Sequence, residues 1–306
     1  LEDRDDVVSF VEADARTRRV AVEAAPLEVG RAMREALYEP IRAVAMTSAT
    51  LAVGGGFDYF AGRVGLVGRD AERAEMRVVP SPFDYDRQAL VLIPSDLPDP
   101  GARAFTSMLP GWVYEALKVT GGRAFVLFTS YALLGRAYEQ LAEPLRIEGI
   151  AAMRQGDEDR HRLLARFKAA RAPALFGTDS FWEGVDVQGE ALSSVILTKL
   201  PFKVPTEPVT QARSEYIEAR GGSAFADYQL PQAALKLKQG FGRLIRSRSD
   251  RGLVWILDRR ILTKPYGRVF LDTLPGGRIE SGKMSDLLAL ASAFMAGGER
   301  AESARR

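Results

Sequence analysis

Cysteine is absent from all 306 residues, and histidine occurs once, as His161. The first absence excludes disulfides, thiolate metal sites, cysteine nucleophiles and iron–sulfur ligands within this chain. The second excludes His-rich zinc or di-iron centres and argues against a His-based catalytic triad. No apolar run approaches the roughly 18 residues that a membrane span needs. No charge sign dominates either: 42 Lys and Arg face 40 Asp and Glu, a net +2, so composition forces neither a membrane nor a nucleic-acid partner. The chain opens at Leu1 in an acidic stretch, without the pattern of a signal peptide, and is expected to be a piece of a longer product. With 46% hydrophobic and 27% charged residues, it reads as a soluble, cytoplasmic α/β-type protein with room for about two domains.

The charge is unevenly placed. Residues 1–40 hold ten acidic and six basic residues, whereas residues 236–268 hold ten Lys and Arg against Asp250 and Asp258. That local +8 marks where an anion would bind. Nearly all-apolar runs at 43–47, 89–93, 123–128, 173–177, 193–198 and 253–258 predict parallel strands covered on both faces. Helical patterns lie between them at 103–119, 130–142, 157–171 and 231–246, the last with Pro231 in its first turn. An amphipathic helix is expected at 30–39. Alternation of this kind predicts a doubly wound parallel sheet. The proline-rich segment 80–100 reads as a crossing between domains.

Four segments share one expected layout, in which a buried strand ends and small, hydroxylated or charged residues follow, where ligands bind in open parallel sheets. Thr47-Ser48-Ala49-Thr50-Leu51 suits a phosphate or, equally, a plain turn cap. Phe128-Thr129-Ser130-Tyr131 places Ser130 at a helix N-terminus, a phosphate site or a simple cap. Gly177-Thr178-Asp179-Ser180-Phe181-Trp182-Glu183-Gly184-Val185-Asp186 is too polar for a core and too rich for a simple turn. In the fourth, Gln239-Gly240-Phe241-Gly242-Arg243-Leu244-Ile245-Arg246, a helix would bring Gln239, Arg243 and Arg246 onto one face at i, i+4 and i+7. Two arginines aimed together suit a polyphosphate, because the planar guanidinium binds it bidentately.

Taken in order, Thr-Ser-Ala-Thr-Leu, Leu-Phe-Thr-Ser-Tyr, Phe-Trp-Glu-Gly-Val-Asp and Gln-Gly-Phe-Gly-Arg-Leu-Ile-Arg resemble helicase motifs III, IV, V and VI. The resemblance is to superfamily 2 helicases of the XPD-like group, and within it to the DinG branch. Ser81-Pro82-Phe83 and Asp258-Arg259-Arg260 support it, and it covers about residues 5–275. The family's phosphate loop and its Asp-Glu-Ala-His magnesium motif are absent from the sequence. The chain therefore resembles the C-terminal part of such a helicase: residues 1–80, a remnant of the first RecA-like domain with the end of the arch insertion; 81–296, the second RecA-like domain; and 297–306, a frayed tail.

The resemblance implies an ATP-dependent 5′→3′ DNA helicase that uses ATP and Mg2+, with the Mg2+ ligands lying upstream of this chain. It casts Arg243 and Arg246 as arginine fingers, and Gln239, Gly242, Glu183, Gly184 and Asp186 as lining the ATP site. Thr47, Ser48 and Thr50 would couple that site to a single-stranded DNA track, and Thr129, Ser130, Tyr131 and Thr178 would touch the strand backbone. Trp182 reads either as a base-stacking side chain or as core, and His161 as a surface residue. The implied partners are single-stranded DNA and the N-terminal motor domain of the same protein, and the isolated chain is expected to be inactive. The alternative is a nucleic-acid-binding or regulatory module without hydrolysis of its own.

Overall fold

A strand that is apolar at every position is fully buried only in a sheet covered on both sides. The computed structural model describes residues 6–14, 18–178, 181 and 192–303. Its strands are β1 (Val7–Asp14), β2 (Arg19–Pro26), β3 (Ala89–Pro94), β4 (Ala124–Leu127), β5 (Ala151–Arg154), β6 (Pro173–Gly177), β7 (Ser194–Leu197), β8 (Gly252–Ile256) and β9 (Arg278–Gly282). The chain divides into two compact units, Leu1–Val79 with Phe202–Leu235, and Pro80–Pro201 with Lys236–Arg306.

The larger unit is a seven-stranded sheet in the order β5-β6-β4-β7-β8-β3-β9. Every neighbouring pair is parallel. Successive strand side chains point to opposite faces, so one run of residues serves two cores. On one face Leu90, Leu92, Val126, Phe176, Ile196 and Trp255 pack under the helices Arg103–Val119, Tyr131–Ile147 and Met284–Ser303. On the other, Phe125 meets Phe167 of the helix Arg160–Ala169 at 4.8 Å between ring centres. Burying each such side chain contributes about 1.5–3 kcal/mol. Five of the six expected strands form here, together with β5 and β9, which the apolar pattern did not predict.

The smaller unit contains the antiparallel hairpin β1–β2, the helices Asp58–Val64 and Pro208–Ala219, and the π-helical turn Ala224–Gln229. The helix expected at 30–39 is an α-turn, Gly30–Met33, running into a π-helical turn, Arg34–Tyr38. Gly65, at φ +76°, ends the helix Asp58–Val64 against Gly30, where an added Cβ on Gly65 would lie 2.4 Å from the Gly30 Cα. The expected strand at 43–47 does not form: the segment has no regular structure, and Val44 is exposed. An extended segment becomes a strand only with a neighbour to share its hydrogen bonds, and none of the described strands pairs with it.

Candidate functional site

All seven strands run the same way, so the ends of β4, β5 and β6 lie on one edge of the sheet. Beyond β4, Ser130 caps the helix Tyr131–Ile147, its Oγ accepting the Leu133 amide at 3.3 Å. Tyr131 follows, 63% exposed. Its hydroxyl accepts a hydrogen bond from Nε2 of Gln155 at 2.7 Å. The Gln155 Oε1 in turn accepts from the backbone amide of Thr178 at 2.6 Å and from its Oγ1 at 3.1 Å. Gln155 sits there because β5 has just ended, its own amide extending the ladder to the Phe176 carbonyl. The structure thus brings Ser130, Tyr131 and Thr178 to one edge, with Thr129 half-buried beside them.

Gln155 was not foreseen. A single glutamine in a turn carries no periodic or compositional signal, and the strand it follows leaves no apolar run in the sequence.

The arginine segment lies elsewhere. The helix Leu230–Phe241 carries Pro231 in its first turn and Gln239 near its end, half-buried. It stops before Arg243, contrary to the expected helix over 231–246. Gly242 still donates to the Lys238 carbonyl at 2.9 Å, but Arg243 and Leu244 donate three residues back, to Gly240 and Phe241, at 3.3 and 3.0 Å. Glycines on both sides of Phe241 raise the cost of continuing the helix, and the last turn tightens instead. Arg243 and Arg246 therefore share a turn rather than a helix face with Gln239.

This turn is held from several sides. Asp250 accepts the backbone amides of Arg246 and Ser247 on Oδ2 at 2.7 and 2.8 Å, and the Ser247 hydroxyl on Oδ1 at 2.7 Å. The buried amide of Gln88 donates to the carbonyls of Ser247 and Asp250, both at 2.8 Å, while its Oε1 accepts from the Asp84 amide. Tyr85 packs on Phe241 at 5.5 Å between ring centres. Gly252, opening β8, leaves room for Leu244, whose Cδ1 would lie 2.5 Å from an added Cβ. Burial pushes the Arg246 guanidinium below its ordinary range, with Asp250 opposing the shift. Burial does the same to Lys238 and Arg251, the latter also facing Arg87.

The arginine turn immediately precedes β8, whereas Ser130, Tyr131 and Thr178 follow β4 and β6, so the two sets occupy opposite edges of the parallel sheet. The expectation that all four segments follow strand ends is corrected here, because the arginines close a helix and lead into a strand. Thr47, Ser48 and Thr50 follow no strand either. They form a local turn in the smaller unit, the Ser48 Oγ accepting the Thr50 amide at 3.1 Å and lying 3.1 Å from its Oγ1. Glu183, Gly184, Asp186 and Trp182 lie outside the described residues. His161 is exposed near the start of its helix.

After β8, the fully buried Asp258 accepts the Leu200 amide at 2.8 Å and pairs with Arg260 through contacts of 2.6–3.2 Å. Among the described residues no helix is long and apolar enough to cross a membrane.

The chain belongs to the helicase C-terminal domain family, whose pattern matches residues 113–277 and so spans most of the parallel sheet. It is similar to the ATP-dependent DNA helicase YoaA of Escherichia coli, with 38% identity over 262 residues, 86% of this chain and 40% of that protein. It is also similar to the 3'-5' exonuclease DinG of Bacillus subtilis, with 36% identity over 292 residues, 93% of this chain and 31% of that one. The chain thus spans 40% or less of these two curated relatives. A solved XPD helicase shares the fold at a TM-score of 0.60 and 16% identity, over 86% of this chain and 47% of that one. The fold is RecA-like.

Proposed function

We propose that the chain is the C-terminal motor part of an ATP-dependent DNA helicase that moves 5′→3′ along a single strand. The observation that carries this reading is the braced turn presenting Arg243 and Arg246. Phosphoryl transfer needs little covalent chemistry from a protein; it needs donors already positioned where charge spreads over the γ-phosphoryl oxygens. Two arginines on a turn fixed by Asp250 and Gln88 meet that requirement, and their partial burial strengthens each contact with a phosphate. In this reading Arg243 and Arg246 act as arginine fingers, and Gln239 and Gly242 line the nucleotide site together with Glu183, Gly184 and Asp186.

The opposite edge carries the DNA. Thr129, Ser130, Tyr131 and Thr178 contact the strand, and Thr47, Ser48 and Thr50 couple nucleotide turnover to it. Contacts from hydroxyls and amides to phosphate and sugar carry no sequence preference. The phosphate loop and Mg2+ ligands belong to the N-terminal motor domain of the same protein, and the isolated chain does not hydrolyse ATP. Among the described residues no group of acidic or imidazole side chains is gathered to hold a metal, so no step through Mg2+ is assigned to them.

Strand displacement by the longest natural product containing this sequence tests the reading. Substrates with a 5′ overhang should be unwound with ATP, and those with a 3′ overhang should not. Tight single-strand binding without any ATP-dependent displacement would favour a binding module instead.

A further inference from the structure

In the smaller unit, apart from the residues assigned above, two arginines converge on one tyrosine. Tyr228 is buried in the π-helical turn Ala224–Gln229. The guanidinium carbons of Arg63, in the helix Asp58–Val64, and of Arg213, in the helix Pro208–Ala219, each lie 5.9 Å from the centre of its ring. The two reach consecutive carbonyls at the end of β2: Arg63 Nη1 donates to Leu27 at 3.3 Å, and Arg213 Nη2 to Pro26 at 3.2 Å. Arg213 Nη1 also lies 3.5 Å from the Tyr228 hydroxyl. Tyr59 stands nearby, hydrogen-bonded to Gln232.

These contacts leave much unused. Each guanidinium has five N–H donors, and the Nε of Arg213 is buried without an acceptor. Neither arginine makes an ion pair among the described residues. The acidic group acting on Arg63 is Glu28, itself exposed. Burial, and then the like charge of Arg213, hold the Arg63 guanidinium below its ordinary range. Two like charges facing each other, one of them largely buried and the acidic group near it exposed, are unfavourable in a resting protein. A carbonyl clamp alone needs no charge, since a glutamine amide can serve a carbonyl. An anion with several acceptor oxygens would use the free donors and relieve the repulsion together, and two planar forks match phosphate geometry.

We infer that Arg63 and Arg213 form a binding site for a phosphate group, with Tyr228 as the plate against which both guanidiniums rest. The phosphate belongs either to a nucleic-acid backbone or to a free or nucleotide phosphate, and the experiment separates these sources.

Thermal unfolding of the chain is followed while sodium phosphate replaces sodium chloride at constant ionic strength. At phosphate about tenfold above half-saturation the midpoint should rise by about 3 °C. The double variant Arg63→Gln/Arg213→Gln should lose this rise while its starting midpoint stays level or increases, because the repulsion is gone. A purely structural clamp would instead lower the midpoint with and without phosphate. No phosphate-specific rise in the wild type, or a rise retained by the double variant, overturns the inference.

The second arm measures oligothymidylate affinity against salt. If a strand phosphate occupies the site, the double variant's log–log slope should become shallower by about 0.7. An unchanged slope with a lost orthophosphate response assigns the site to a free or nucleotide phosphate. Failure of the wild type to bind the strand at all would count against the proposed helicase and leave the orthophosphate result readable.

Discussion

Asp250 accepts the backbone amide of Arg246 at 2.7 Å, and with the same carboxylate it takes the amide and hydroxyl of Ser247. One acidic side chain thus fixes the path of the chain between the two arginines and β8. Its hydrogen bonds go to the backbone and to serine, and its charge opposes the effect of burial on the Arg246 guanidinium.

Replacing that carboxylate should therefore move the arginines more than it disturbs the sheet. Asp250→Ala is expected to cost about 2 kcal/mol of stability, since charge-assisted bonds to three donors are lost from a partly exposed site. If the full-length protein is the motor proposed above, its ATP turnover should fall by about tenfold to a hundredfold through misplacement. Urea unfolding and steady-state ATPase check the two parts separately.

On the opposite edge, Gln155→Leu removes the acceptor of the Thr178 amide and the donor to Tyr131. A buried amide left without a partner costs about 1–3 kcal/mol. Single-strand affinity should fall, while its salt dependence stays as in the wild type because no cation has been removed. Fluorescence anisotropy over a salt series measures both.

Trp255 is fully buried in β8, and its Nε1 has no hydrogen-bond partner. Trp255→Phe loses some volume but also removes that unsatisfied donor, so the two effects should nearly cancel, within about 1 kcal/mol. Trp255→Ala removes the same donor but opens a far larger cavity, and should cost about 3–5 kcal/mol. Calorimetry of the two variants measures how much the cavity adds once the donor is gone.

Asp159 caps the helix Arg160–Ala169, and hydrogen bonds from the backbone amides of His161, Arg162 and Arg160 hold its carboxyl below the usual carboxylate range. A depressed carboxyl stabilises the fold above its unfolded value, and that contribution is lost as pH falls through the folded one. The wild type should therefore lose stability relative to Asp159→Asn in acid and not at neutral pH. Unfolding midpoints of both proteins from neutral to acidic pH provide the check.

Burial on both faces leaves a strong mark in sequence, which is why β3, β4, β6, β7 and β8 were legible as apolar runs. The edge strands β5 and β9, Ala-Ala-Met-Arg and Arg-Ile-Glu-Ser-Gly, mix polar and apolar residues and were missed. Residues 43–47 misled for the converse reason: an apolar run names a strand only if a neighbour exists to pair with it. The Ser130 cap was legible because capping is local. The end of the helix at Phe241 was signalled by its flanking glycines, yet the i, i+4, i+7 spacing of Gln239, Arg243 and Arg246 outweighed them. Gln88 and Gln155 owe their roles to contacts across 159 and 23 residues, which no window of sequence reveals.

Single-strand-DNA-stimulated ATP hydrolysis by the longest natural product containing this sequence, measured beside its Arg243→Ala variant, tests the central claim most directly. Strong stimulation in the wild type should fall by about 10³-fold or more in the variant, with the fold and strand affinity kept. Near-normal ATPase in the variant would contradict the role given to Arg243, and no hydrolysis by the wild type despite good strand binding would contradict the motor itself.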